Sequence, residues 1–142
     1  MALIPQTPRT VAPGAVHIPG WLPQQHQSEL VAACRDWSRP PAGMSRVKTP
    51  GGHWMSVRQV CLGWHWSPYR YSRTVADGHP VKAFPDELRR LALDAVTAAY
   101  GGPGDYDPDI ALINYYDTTA HMGMHQDKEE RCDAPVVSVS LG

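Results

Sequence analysis

The sequence predicts an α+β fold, with two helices ahead of a mainly antiparallel β portion. Three observations carry this expectation. Segment 85–100 repeats its apolar residues at helical spacing, while later runs such as "DIALINYY" (109–116) and "PVVSVSLG" (135–142) have the composition of strands. In addition, 142 residues with 42 % hydrophobic content and five tryptophans suffice for the buried core of a single domain.

Taken in order, the chain opens with a Pro-rich leader, after which "GAVHIPGWL" (14–22) offers a short strand. Pro23 then suits the opening of a helix through about Trp37, with Leu30, Cys34 and Trp37 on one stripe, until Pro40-Pro41 stops it. "TPGG" (49–52) reads as a turn that feeds a strand, "HWMSVRQV". Gly63 begins a region rich in Trp and Tyr with little regular pattern. In the helix at 85–100, Pro85 suits the first helical position and Asp86 and Glu87 suit the positive end of the helix dipole. Leu88, Leu91, Ala92, Ala95, Val96 and Ala99 form its packing face until Gly101-Gly102-Pro103 ends it. In 135–142, Val137, Val139 and Leu141 alternate with Ser138 and Ser140, as in a half-buried strand. The domain divides into an N-terminal extension and helix (1–45), a middle region (46–84) and a packing helix with the strands that follow (85–142). The run ends on this last predicted strand, so at least one β edge is expected to lack its neighbour.

No apolar run approaches the roughly 20 residues of a membrane span, and the first residues lack the apolar core of a signal peptide, so a cytoplasmic protein without a membrane partner is expected. Cys34, Cys61 and Cys132 are odd in number and form no C-x-x-C pair, which favours reduced structural thiols over a disulfide framework or a zinc knuckle. The net charge of −1 hides a strong polarity. Residues 46–90 carry eight basic against three acidic side chains (+5), and residues 94–133 carry two against nine (−7). Within the basic part lie Trp54, Trp64, Trp66, Tyr69 and Tyr71, a combination that suits phosphates and stacked bases, or an aromatic-anchored surface loop.

The stretch "GMHQDKEE" (123–130) sets His125 and Asp127 one residue apart. On an extended strand that spacing puts an imidazole and a carboxylate on one face, where they could share a metal ion. A polar surface turn has the same spacing, and the motif alone does not choose between them.

The wider pattern "LINYY…HMGMHQDKEE…APVVSVSLG" resembles the AlkB family of iron(II) and 2-oxoglutarate dependent dioxygenases, with the likeness reaching back through "APGAV", "TPGG…MSV" and "LGW…Y-x-YS". The resemblance implies a partial double-stranded β-helix, or jelly roll, with N-terminal helices packed on the sheet, the middle region (46–84) serving nucleotide recognition. It implies Fe(II), 2-oxoglutarate and O₂ as cofactors, with His125 and Asp127 as two ligands of a two-histidine, one-carboxylate site. It assigns Asn114 and Tyr116 to the 2-oxoglutarate carboxylates, Trp64 and Tyr69 to the target base, Glu129 to a position near that base, and Thr49 and His121 to the nucleic-acid backbone.

The reaction implied is oxidative demethylation of an N-alkylated base, of the 1-methyladenine or 3-methylcytosine type, in single-stranded DNA or RNA by a monomeric protein. 2-Oxoglutarate is decarboxylated to succinate and CO₂, and the hydroxylated methyl group leaves as formaldehyde. The base must leave the stack to be reached. Because such bases are cations, the ring of Trp64 and the carboxylate of Glu129 are expected to select them by charge.

The sequence also departs from the family pattern. No histidine follows His125 and no arginine follows Arg131, so the second histidine ligand and the arginines that grip 2-oxoglutarate are missing. His121 is a poor substitute, since four residues before His125 suits a helix, not a strand. These 142 residues alone are therefore expected to turn over little, as a fragment of a longer enzyme. The alternatives are a nucleic-acid-binding module without catalysis, carried by 46–73, and a related dioxygenase acting on a protein or small molecule.

Overall fold

The computed structural model describes residues 7–68, 70–122 and 133–141. Among the described residues the ladders between its strands are antiparallel, in three small sheets with two helices between them, in keeping with the α+β expectation, and a single parallel bridge joins Leu62 to Lys82. The first sheet is a hairpin of β1 (Arg9–Ala12) and β2 (Ala15–His17). Of these, β1 lies in the leader that composition marks as irregular. Helix α1 (Gln24–Trp37) follows, opened by Pro23, whose carbonyl accepts the Gln27 N–H at 3.0 Å.

The second sheet has the order β3–β4–β7, from β3 (Ser45–Lys48), β4 (Trp54–Leu62) and β7 (Ala111–Tyr115). β4 extends the predicted strand by two residues, and its partner β3 has no clear signal in "SRVK". Being central, β4 is covered on both faces. Val57, Val60 and Leu62 are almost wholly enclosed, and Gln59 and Cys61 are buried with them. Burying three aliphatic side chains of this size stabilises the fold by about 1.5–3 kcal/mol each.

The third sheet is a hairpin of β5 (His65–Ser67) and β6 (Arg70–Ser72), regular structure in the region expected to have little. Its pairs are local, Trp66 with Tyr71 and His65 with Ser72, so the run "HWSPYRYS" folds on itself. Helix α2 (Asp86–Tyr100) comes next in the chain, which places it between β6 and β7 and not ahead of the β portion. Pro85 is its N-cap residue, with extended backbone, not its first helical residue. Asp86 and Glu87 occupy the first turn as expected, and Gly101 closes the helix in the left-handed region (φ 88°), its N–H donating to the Thr97 carbonyl.

Long-range bonds join these parts. The Tyr115 hydroxyl lies 2.5 Å from Ser38 Oγ and donates to the Cys34 carbonyl at 2.9 Å, fastening β7 to the end of α1. The Tyr100 hydroxyl donates to the Gly14 carbonyl at the β1–β2 turn, and Lys82 Nζ donates to the carbonyls of Arg39, Pro41 and Ala42.

One prediction fails outright. Residues 133–141 form no strand: Val136 is 75 % exposed and Val139 38 %, with only Val137 and Leu141 half-buried. Alternation alone does not make a strand, because a strand also needs a neighbour to pair with its N–H and C=O groups. The segment instead borders a cavity of about 290 Å³, shared with residues 16–22 and the end of α2.

Candidate functional site

Strand β7 and the turn after it organise the candidate site. Strand alternation sends Ile113 and Tyr115 to one face, and Tyr115 to α1, so Leu112 and Asn114 lie on the other, with Tyr116 just past the end of the strand. Leu112 is 41 % and Tyr116 54 % exposed. Neither Asn114 nor Tyr116 makes a side-chain hydrogen bond among the described residues, so a carboxamide and a phenol are without partners there at the end of β7.

Directly across the ladder from Asn114 is Gln59, on the same face and 4 % exposed. Its Oε1 is buried without a hydrogen-bond partner among the described residues. Sequence reading missed this residue, although a glutamine inside the apolar run "VRQVCL" was a visible signal. Cys61, two residues on, accepts the Trp66 N–H at 3.4 Å. Burial raises the thiol pKa of Cys61, the Trp66 contact opposing it in part, and burial together with the charge of Glu87 raises that of Cys34. Both are free, protonated thiols, as expected of structural cysteines. Cys132 lies outside the described residues.

After β7, Asp117 closes a tight turn. Its carboxylate accepts the backbone N–H and the hydroxyl of Thr119 and the N–H of Ala120. These bonds, Thr119's first and the charge of Arg58 last, hold the carboxyl below the ordinary range. The chain is then pinned to β4: Ser56 Oγ donates to the His121 carbonyl at 3.0 Å and accepts its N–H at 3.1 Å. This fixes the backbone of His121 against β4.

Trp64 sits just before the β5–β6 hairpin, half-buried, with Nε1 donating to Asp109 Oδ2 at 3.3 Å. The guanidinium of Arg73 lies over its ring, 3.5 Å from the centroid, and donates to the Gly63 carbonyl at 2.7 Å. The sequence flagged Arg73 and Asp109 only as two charges among many. Next along, burial lowers the pKa of His65.

A basic ribbon runs along β3 and β4. Arg46 and Arg58 are direct cross-strand neighbours, and Lys48 lies 5.7 Å from the ring of Trp54, which is 64 % exposed. Like charges placed opposite each other repel, and a polyanion would relieve that repulsion. Thr49 Oγ1 accepts the His53 N–H at 3.2 Å within the turn at 49–52.

His125, Asp127, Glu129 and Tyr69 lie outside the described residues. Among the described residues no group of three or more His, Cys, Asp or Glu could hold a metal ion. The structure therefore brings Asn114 and Gln59 to one face, with Tyr116 just past the end of β7, and groups Trp64, Arg73 and Asp109 beside the β5–β6 hairpin.

Comparison with known proteins gives a consistent set of relatives. The family model described as the 2OG-Fe(II) oxygenase superfamily matches residues 14–142. The chain is 45 % identical over 104 residues to the alpha-ketoglutarate-dependent dioxygenase AlkB of Escherichia coli, covering 68 % of this chain and 47 % of that protein. It is 26 % identical to the DNA N(6)-methyladenine demethylase ALKBH1D of Arabidopsis thaliana, covering 94 % of this chain and 35 % of the relative. Among solved structures, that of OsALKBH1 superposes with a TM-score of 0.68 at 26 % identity, covering 80 % of this chain and 57 % of the other. The chain thus spans about half the length of the AlkB protein it matches.

Proposed function

The chain belongs to the 2OG-Fe(II) oxygenase superfamily and to its AlkB family, and on that premise we propose that it is part of an enzyme that oxidatively demethylates N-alkylated bases in nucleic acid. The family uses Fe(II), 2-oxoglutarate and O₂. When bound, the iron and its cosubstrate supply the oxidising chemistry, and the protein supplies binding and orientation.

The observation that carries this reading is the end of β7. Asn114 on β7 and Tyr116 just past its end are unpartnered among the described residues and come one tight turn before the stretch of sequence holding His125 and Asp127. A carboxamide and a phenol fit a carboxylate-bearing cosubstrate, since both donate hydrogen bonds and neither brings a negative charge. In this reading Asn114 and Tyr116 hold 2-oxoglutarate, and His125 and Asp127 are two of the iron ligands. Trp64 and Tyr69 stack the flipped base with Glu129 at its edge. The described strands are then part of a jelly roll. The basic ribbon with its exposed tryptophan supports a nucleic-acid substrate, and Thr49 and His121, at its turn and its clamp, are assigned to the backbone of the strand.

The test measures succinate and formaldehyde released by the full-length protein from single-stranded DNA or RNA carrying one N-methylated base. Both products should form in equal amounts, require Fe(II) and 2-oxoglutarate, and vanish in His125→Ala and Asp127→Ala. Full methyl removal by either variant, or none by the wild type on any methylated DNA or RNA, would overturn the proposal.

A further inference from the structure

The indole of Trp64 does not present two equal faces. One carries the Arg73 guanidinium at 3.5 Å from the ring centroid, stacking distance for a planar cation. That cation is held in place by its bond to the Gly63 carbonyl, and among the described residues no carboxylate pairs with it. Asp109 touches the ring only at its edge, through Nε1. One of the two π faces able to attract a cation therefore already holds one.

From this geometry we infer that Arg73 cancels the preference of the Trp64 face for cationic bases, so that neutral N-alkylated bases are taken at least as well as cationic ones. The inference deepens the proposed function and rests on its assignment of Trp64 as the stacking surface for the base. The physical reason is distance. A base stacked on the opposite face would sit roughly 7 Å from the guanidinium, two stacking layers, which is inside the Debye length of about 8 Å at physiological ionic strength. The indole between them excludes water, so screening is weak there. A positive base meets repulsion that offsets its attraction to the ring, whereas a neutral base keeps its full stacking energy. Charge-based selection, expected from the sequence at this ring, is thereby removed by a residue nine positions away.

The test uses full-length protein and two fluorescent single-stranded oligonucleotides, identical except for one 1-methyladenine, a cation, or one N6-methyladenine, its neutral isomer. Fluorescence anisotropy gives both dissociation constants for the wild type, Arg73→Met, Arg73→Lys and Trp64→Ala. Comparing isomers cancels any general loss of phosphate attraction, and comparing that ratio between variants cancels any contribution of Glu129, which all variants keep. The wild type should bind the two within about threefold, and Arg73→Met should shift the ratio about five- to tenfold toward the cationic base. Arg73→Lys, which keeps the charge, should stay near the wild-type ratio. An unchanged ratio in Arg73→Met, with Trp64→Ala weakening both oligonucleotides, overturns the inference and leaves the stacking role standing. Equal tightening of both in Arg73→Met also overturns it, because Arg73 would then compete for the face. Unchanged binding of both by Trp64→Ala overturns the stacking role and the inference together.

Discussion

Gly63→Ala should destabilise this protein well beyond Gly78→Ala, although the two glycines have nearly the same backbone, φ +85° and +86°. In that left-handed region a Cβ costs roughly 1–2 kcal/mol at either position. Around Gly78 an added Cβ would meet nothing within 4 Å. At Gly63 it would run into the carbonyl oxygen of Asp109, well inside contact distance, and meet Phe84 Cβ at 3.1 Å. Neither backbone can retreat easily. The Gly63 N–H is bonded to the Lys82 carbonyl at 2.7 Å and its carbonyl accepts from Arg73, while Asp109 lies two residues before β7. Overpacking of this kind costs about 1–3 kcal/mol beyond the backbone strain. Gly63→Ala should therefore lose about 2–5 kcal/mol, against about 1–2 for Gly78→Ala. For a chain of this size a gap of about 2 kcal/mol corresponds to roughly 4–8 °C in Tm. Urea titration followed by tryptophan fluorescence and thermal melts followed by circular dichroism both measure it. Equal losses at the two positions would refute the claim that the Gly63–Asp109 approach is tight.

Two further expectations follow from buried polar groups. Gln59→Met removes an acceptor that has no partner and roughly keeps the volume, so the ligand-free protein should gain about 1 kcal/mol; a loss of that size in the urea midpoint would mean that Oε1 is in fact satisfied. His65 has a pKa lowered by burial, so the folded state favours the neutral imidazole. Its stability is complete above the ordinary histidine value of 6.5 and declines as pH falls below it, because the unfolded chain takes up the proton more readily. Relative to His65→Gln, the wild type should lose Tm between about pH 7.5 and 5.5, and a constant or rising difference would contradict that sign.

Local rules worked where one segment contained its own signal. Pro23 and Gly101 bound helices whose stripes, Leu30 in one and Leu91 and Val96 in the other, are buried as read. "DIALINYY" became β7 because its alternation matched a sheet with one face against α1. Those rules failed where a partner decided the outcome. β3 and β1 are strands only because β4 and β2 lie beside them, and 135–141 is not one because no strand among the described residues pairs with it. The aromatic run after Gly63 gave no period, since three-residue strands are too short to display one.

The sequence by itself determined the family and the two helices, because motif spacing and apolar period are properties of the chain. Only the tertiary structure decided that Gln59 faces Asn114 and that Arg73 covers Trp64. Both depend on strand register and hairpin closure, which bring together groups up to 55 residues apart through hydrogen bonds that no local stretch contains.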